Sequence, residues 1–370
     1  MQPTPLAIVR ADGKVEELGA WHPKERLLEL FVPGFPFLGP GRHTLESDLP
    51  WLLYDMSPSG FMGAQFARQF LELGLPEQPM LWGPEHCLRA ISERGEDLSG
   101  NLLVGVESRR RFFEQESLSR SGERYDSDLR AMVETMAEAT ASGGSSVGGD
   151  RPKHVLQMVE NGQRVDVIAK YSPPLESAVG RRWKNLLAME ALVSECLRNA
   201  SCRSAVSSFV NVGEGHRAVL LIRRFDRVPP GRIGVATLSW LAASRGEAER
   251  SGPEVLKSLH RDGLIDQASV TTAEFVHEFS RAIGNTDAHL GNYGLVFDAV
   301  GTATLAPIYD VSPMVFAPRH DELPDAWVKP RSTPIRPDVV PLVESLVRLA
   351  RASTDVDPDF LDLWLRYVGA

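Results

Sequence analysis

The residues best suited to chemistry in this 370-residue chain lie in two short stretches of its second half. In the first, Ile283-Gly284-Asn285-Thr286-Asp287-Ala288-His289-Leu290-Gly291-Asn292-Tyr293, a carboxylate and an amide stand five positions apart. In the second, Pro307-Ile308-Tyr309-Asp310-Val311-Ser312-Pro313, another carboxylate follows an apolar run. A carboxylate beside a hydroxyl can take its proton, and an amide oxygen with a second carboxylate supplies hard donors that suit Mg²⁺. Together they are the equipment of phosphoryl transfer. Two features further upstream suit phosphate. The small-residue loop SGGSSVGGDRPK runs from Ser142 to Lys153, and Val167-Ile168-Ala169-Lys170 ends on a cation. Glycines let successive backbone N–H groups close on an anion without a Cβ in the way.

Each signal alone is weak, and their order adds weight. The loop lacks the Gly-Lys-Ser/Thr ending of a Walker motif and leads into a strand. Asp287 and Asn292 have the spacing of the H-R-D-x-x-x-x-N loop of protein kinases. Lys170 follows Gly149 by 21 residues, and Glu190 follows Lys170 by 20. A kinase needs such an acid to hold its lysine, although Glu195 on the same helix competes for the part. Asp310, 23 residues after Asp287, stands where the second metal anchor belongs. The interval leaves room for a hairpin of YGLVFD, AVGTA and TLAPIYD. Two other readings use the same residues. His277, Asp287 and His289 are a candidate zinc triad, though His277 is ten residues from Asp287 and on a helix. Ser312 and Ser146 are candidate nucleophiles, though neither sits in a G-x-S-x-G elbow.

Elements that could position these groups are legible in the pattern. HVLQMVE, Asn161-Gly162 and QRVDVIAKY predict a hairpin. GRRWKNLLAMEALVSECLRN predicts a long amphipathic helix at about 180–199, and RAVLLIRRF a strand at 217–225. A helix from Thr271, with Thr271 and Glu274 as a capping box, is expected to bury Phe275, Val276, Phe279 and Ile283 before the Asp287 loop. The first hundred residues read as a packed module. In it FMGAQFARQFLELGL forms a helix over 61–75, with Phe61, Phe66, Phe70 and Leu73 on one face and Gly74 as its stop. From Glu107 the composition turns polar, AMVETMAEA at 131–139 is helix-like, and Ala141–Asp150 reads as a flexible connection.

Composition narrows the classes further. Forty Lys and Arg stand against 49 Asp and Glu, a net charge of -9, so unaided nucleic-acid binding is disfavoured, and Arg109, Arg110 and Arg111 read as a solvated surface. With 43% hydrophobic and 24% charged residues the chain is ordinary globular material. Three scattered cysteines make no disulfide framework and fit a reduced compartment. The start has no secretory pattern, and no membrane-length apolar run occurs. A cytoplasmic protein is expected.

The segments SSVGGDRPK, VIAKYSP, RRFDR, GNTDAHLGNYGLVF and LAPIYDVSP resemble the HipA family of bacterial serine/threonine kinases, the toxin halves of toxin–antitoxin pairs. The resemblance is firm over roughly 142–313. It implies an α/β protein-kinase-like two-lobed fold, with a strand-rich N-terminal lobe and a mainly α-helical C-terminal lobe. It also implies ATP and Mg²⁺ as cofactors and a protein serine as acceptor, in studied members often on aminoacyl-tRNA synthetases. By motif, Asp287 is the catalytic base and Asn292 and Asp310 are metal ligands. Val147, Gly148, Gly149, Asp150, Arg151, Lys153, Lys170, Glu190, His289 and Tyr309 belong to the nucleotide side. The Arg223-Arg224-Phe225 strand end offers backbone groups to adenine, with Arg223 replacing the family's acid. Ser146, or its neighbour Ser145, matches the autophosphorylated serine of the Gly-rich loop.

The reading is therefore a HipA-type N-terminal subdomain at 1–130, a kinase N-lobe at 131–227 and a helical C-lobe at 228–370. A HipB-like antitoxin is the expected partner. Since no helix-turn-helix-like segment precedes residue 40, DNA is expected only through such a partner, and no membrane is involved. A small-molecule kinase and a non-catalytic nucleotide- or antitoxin-binding scaffold are the alternatives.

Overall fold

The computed structural model describes residues 2–33, 37–58, 60–121, 133, 153–160, 163–212, 216–297, 303–319 and 322–370, without the side chains of 60, 61 and 118–121. Ser145, Ser146, Val147, Gly148, Gly149, Asp150 and Arg151 lie outside the described residues. So do the Asn161-Gly162 turn and all of the expected 131–139 helix except Val133.

In chain order the elements are β1 (Thr4–Val9), β2 (Val15–His22), β3 (Leu27–Leu30), β4 (Gly41–Thr44), α1 (Gly60–Arg68), α2 (Pro84–Arg94), β5 (Leu102–Val104) and α3 (Gly105–Ser121). Then come β6 (Lys153–Glu160), β7 (Gln163–Tyr171), α4 (Ala178–Asn199), β8 (Ser207–Val212), β9 (Arg217–Arg223), β10 (Arg227–Val228), β11 (Gly231–Arg232) and β12 (Gly234–Thr237). The last are α5 (Leu238–Ser244), α6 (Gly252–Arg261), α7 (Gln267–Ile283), β13 (Gly294–Phe297), β14 (Thr304–Leu305), α8 (Val340–Ala352) and α9 (Pro358–Val368). No helix among the described residues is long and apolar enough to cross a membrane.

Two compact units interleave along the chain. One comprises Met1–Tyr125, Phe225–Gln267 and Tyr293–Ala306, the other Asp126–Arg224, Ala268–Asn292 and Pro307–Ala370. The units of packing thus do not follow the linear segments 1–130, 131–227 and 228–370. Strand pairing is the reason: β13 bonds antiparallel to both β12 and β14, which keeps the expected hairpin after the Asp287 loop in the first unit.

In that first unit an antiparallel sheet, ordered β4-β3-β2-β1-β5, buries Leu6, Ile8, Trp21 and Leu28. β1 is covered on both faces, so its last four residues are all apolar and buried: Leu6 and Ile8 share one face, while Ala7 and Val9 on the other pack with Leu103 and Phe112. The polar stretch after Glu107 is helical as far as Ser121. α3 is held by buried Phe112, under the Arg232 guanidinium at 4.8 Å from its ring. The arginine cluster is satisfied internally: Arg109 meets Glu17, Arg110 meets Glu107 and Glu114, and Arg111 meets Glu96. α1 stops at Arg68 instead of running to 75, because the chain leaves helical geometry at Phe70 and turns at Gly74 with φ +75°. Phe70 is fully buried as expected, whereas Leu73 is 43% exposed.

The second unit carries the antiparallel sheet β6-β7-β9-β8. Pairing of β6 with β7 puts Lys153 opposite Lys170. Val167, Ala169 and Tyr171 join Val219 and Leu221 in an apolar cluster on one face, so Ile168 and Lys170 fall on the other, toward α4. α4 begins where the Ser177 hydroxyl accepts the Gly180 N–H at 2.9 Å, and it buries Trp183, Leu186, Leu187, Val193 and Leu197. α7 starts one turn before the expected Thr271–Glu274 box, at Gln267, directly after Asp266, a residue type favoured at caps. Its buried stripe is Ala273, Val276, Phe279 and Ile283, with Phe275 only half-buried.

The α4 start allows no side chain at Gly180, where a Cβ would lie 1.9 Å from the Pro174 carbonyl oxygen. Gly180→Ala should therefore destabilise the protein by about 2 kcal/mol or more despite alanine's higher helix propensity. Urea unfolding monitored by circular dichroism reads this directly, and an unchanged midpoint would contradict it.

Candidate active site

Lys170 is 5% exposed and its ammonium contacts two carboxylates. Its Nζ donates to Glu190 Oε1 at 2.7 Å and to Asp310 Oδ1 at 2.6 Å. The sheet brings Lys170 in, α4 brings Glu190, and the chain after β14 brings Asp310. Burial works against the lysine's charge, but Asp310 and Glu190 outweigh it and hold the ammonium protonated. Burial also pushes the Glu190 carboxyl up, to about 7, since Lys170 only partly offsets it and the Asp310 charge adds to the rise. For Asp310 burial is overcome by Lys170 and Lys153, so it stays below the ordinary carboxylate value. Lys153 stands directly opposite Lys170 on the neighbouring strand, so its side chain rises on the same face of the sheet as this cluster.

The Asp310 backbone has φ +57°, a left-handed conformation costing about 1 kcal/mol or more in a residue with a Cβ. The surrounding segment is fixed firmly enough to impose it. Ser312 Oγ donates to the Leu186 carbonyl of α4 at 2.9 Å, and the Ile308 carbonyl accepts from Ser204 Oγ at 2.9 Å and from the Ala205 N–H at 2.8 Å. Ser312 is thus a buried strut and not a nucleophile open to substrate, while Ser146 lies outside the described residues.

The Asp287 loop is built from its own polar groups. Asn285 Oδ1 accepts the Asp287 N–H at 3.0 Å, and Asn292 Nδ2 donates to the Asp287 carbonyl at 2.7 Å. That second bond holds the Asn292 amide through its nitrogen, and its oxygen is the acceptor end of the same group. His289 Nδ1 accepts the Gly291 N–H at 3.0 Å, which puts the neutral ring's proton on Nε2, 3.8 Å from Asp287 Oδ1. Asp287 and His289 side chains are 48% and 61% exposed, open to an incoming reactant. Tyr309 OH donates to the Gly291 carbonyl at 2.9 Å and so ties the residue before Asp310 to this loop.

Lys153, Lys170, Glu190 and Asp310 thus form one charged cluster, and Asp287, His289 and Asn292 one loop joined to it through Tyr309. Arg223 is exposed and paired with Glu160, and Phe225 belongs to the first unit rather than to that of Arg223. The N–H groups of Arg223 and Arg224 already donate to the Val206 and Asp166 carbonyls, at 2.8 and 2.9 Å, so an incoming base must be met by other backbone groups there. No group of three or more His, Cys, Asp or Glu side chains among the described residues forms a metal-binding set.

Three contributors have little or no local sequence signal: Arg182, Asp325 and Asn285. Arg182, buried on α4, donates to both Asp325 oxygens at 2.6 and 2.7 Å and to the Phe316 carbonyl at 3.1 Å. It clamps the segment after Asp310 to the helix that carries Glu190. Asn285, the third, shows itself only as an Asx turn two residues before Asp287. Asp325→Asn should leave the Arg182 charge buried and only half met. Because Asp325 is 40% exposed, the cost falls below that of a fully buried pair, at about 2 kcal/mol. Hydrogen exchange should accelerate at the Val315 and Ala317 amides, and unchanged protection there would remove the clamp from the account.

Comparison with known proteins identifies the family. Residues 145–354 match the family described as HipA-like C-terminal domain, and residues 1–113 match the YjjJ-like toxin, middle domain. Toxin YjjJ of Escherichia coli (strain K12) is 30% identical over 274 residues, 73% of this chain, and the match spans 61% of that protein's length. The solved Shewanella oneidensis MR-1 HipA, in complex with HipB and operator DNA, superposes with a TM-score of 0.55 at 14% identity, over 98% of this chain and 95% of its own. That likeness carries the expected two-lobed, α/β kinase-like fold. With a family match over more than half its length, the chain belongs to the HipA-like family.

Proposed function

We propose that this protein is an ATP- and Mg²⁺-dependent serine/threonine protein kinase acting as a HipA-like toxin. The observation that carries the reading is the Lys170–Glu190–Asp310 cluster, with both lysine contacts under 3 Å. A mobile ammonium pinned by a buried acid is what phosphate positioning requires.

The donors fit Mg²⁺. Asp310 offers a carboxylate, and Asn292, its Nδ2 committed to the Asp287 carbonyl, offers an amide oxygen. Both are hard ligands, and a magnesium ion that keeps waters and phosphate oxygens needs only one or two from protein. When bound, the ion neutralises charge on the transferring phosphoryl group. Lys170 and Lys153 supply the fixed positive charge for the nucleotide phosphates. Asp287 accepts the proton of the attacking serine hydroxyl as its oxygen bonds to the γ-phosphorus and the bond to ADP breaks. The His289 Nε2 stands 3.8 Å from that carboxylate, too far for a hydrogen bond in this arrangement.

The remaining assignments extend the family reading. Val147, Gly148, Gly149, Asp150 and Arg151 cover the phosphates, and Ser146 or Ser145 is the self-phosphorylated residue, whose dianion competes with ATP for the same loop. The target belongs to the translation machinery, an aminoacyl-tRNA synthetase being the first to test. The relative named a toxin and the neighbour solved with HipB and operator DNA support an antitoxin partner through which any DNA contact runs.

Radiolabelled ATP tests the reading. Asp287→Asn should reduce both self-labelling and labelling of a protein in cell extract by about 10²- to 10⁴-fold while the melting temperature holds. Ser145→Ala/Ser146→Ala should abolish self-labelling alone. Label found only in small metabolites would replace the protein kinase with a small-molecule kinase.

A further inference from the structure

Beyond Asp310 the chain is held at discrete points and then crosses the surface. The Val315 N–H donates to the Gly284 carbonyl at 2.9 Å, Arg182 grips Phe316 and Asp325, and the Arg331 N–H donates to the Tyr367 carbonyl at 3.1 Å. Between the Asp325 and Arg331 anchors stands Trp327, 62% exposed although its own N–H is bonded to the Pro324 carbonyl. A tryptophan in water on a tethered turn is a rigid anchor offered to a partner, the residue type that most often dominates protein contacts.

The strip's charge is positive on a chain of net charge -9. Lys329 is exposed and meets no acid among the described residues, and Arg331 keeps a buried Nε without an acceptor. The strip's own acid, Asp325, is taken by Arg182. Its location ties it to the chemistry. A Cβ on Gly284 would lie 2.9 Å from Tyr367 Cε1, so one aromatic ring separates the Arg331 anchor from the residue three before Asp287.

We propose that Trp327–Arg331 docks the protein substrate and selects a segment in which an apolar side chain adjoins acidic residues near the acceptor serine. This rests on the kinase reading above. A polypeptide is favoured over nucleic acid because two cations on one strip make no continuous basic track along a phosphate backbone.

The test uses the full chain, ATP and two synthetic serine-peptide pools, one flanked by Leu with Asp and Glu, the other by Leu with Lys and Arg. Wild type should phosphorylate the acidic pool faster. Lys329→Glu/Arg331→Glu should lose roughly tenfold in kcat/KM on that pool and gain on the basic one. Trp327→Ala should slow both pools, and self-labelling should be unchanged in each variant. Because Arg331 is half-buried, Lys329→Glu alone is the control for folding and should show the same shift at smaller size. Self-labelling in wild type with no preference between pools, with neither pool labelled, or with a preference the variants leave intact, overturns the docking strip. Competition by bulk tRNA that the acidic pool does not match also overturns it, in favour of RNA. Absence of any labelling in wild type overturns the kinase reading instead.

Discussion

A protonated amine taken out of water is stable only where opposite charge meets it at hydrogen-bond distance. Lys170 is such an amine, and three parts of the chain have to converge for it to be tolerated. β7 must carry it inward, α4 must present Glu190, and the segment after β14 must turn into a left-handed residue at Asp310. Removing any one of these leaves a buried charge half met. The cluster therefore couples the fold of the second unit to the proposed chemistry, since Asp310, one of the two acids that satisfy the lysine, is also a metal ligand in that proposal.

The rest of that unit reads as support for this convergence. α4 is fixed to the sheet by its apolar face and to the C-terminal elements by polar contacts at its N-terminal half. Lys184 and Asn185 both meet Asp357, at 2.6 and 2.9 Å, and Arg182 meets Asp325. With Glu190 two turns further along, these contacts set both height and rotation of the helix. Ser312 bonded to Leu186 and Tyr309 bonded to Gly291 then place Asp310 between the helix and the Asp287 loop.

The hairpin, α4 and the Asp287 loop were readable because each rests on local rules: alternation, helical periodicity and an Asp–Asn spacing tied to chemistry. Glu190 was separable from Glu195 only by its distance from Lys170, and the structure shows Glu190 buried on the lysine. The clamp Arg182–Asp325 spans 143 residues, and no local pattern announces a pair of that separation. α3 escaped notice because its sequence has almost no apolar stripe; it is held by Phe112 and by ion pairs with other elements. The Thr271–Glu274 signature was a false cap inside α7, where tertiary packing of Val270 and Ala273 extends the helix one turn upstream. Interleaving of the two units was equally hidden, because it follows from β12 pairing with a strand sixty residues away.

Under the proposed function Asp310 and Asn292 hold a magnesium ion where Lys170 meets phosphate. Calorimetric titration of the full chain with ATP, in Mg²⁺ and in EDTA, measures this directly. Binding should be tighter with Mg²⁺, and Asp310→Asn, whose side chain tolerates the left-handed backbone, should erase that difference while the fold persists. ATP binding that is indifferent to magnesium in the wild type, or a magnesium effect that survives Asp310→Asn, would contradict it.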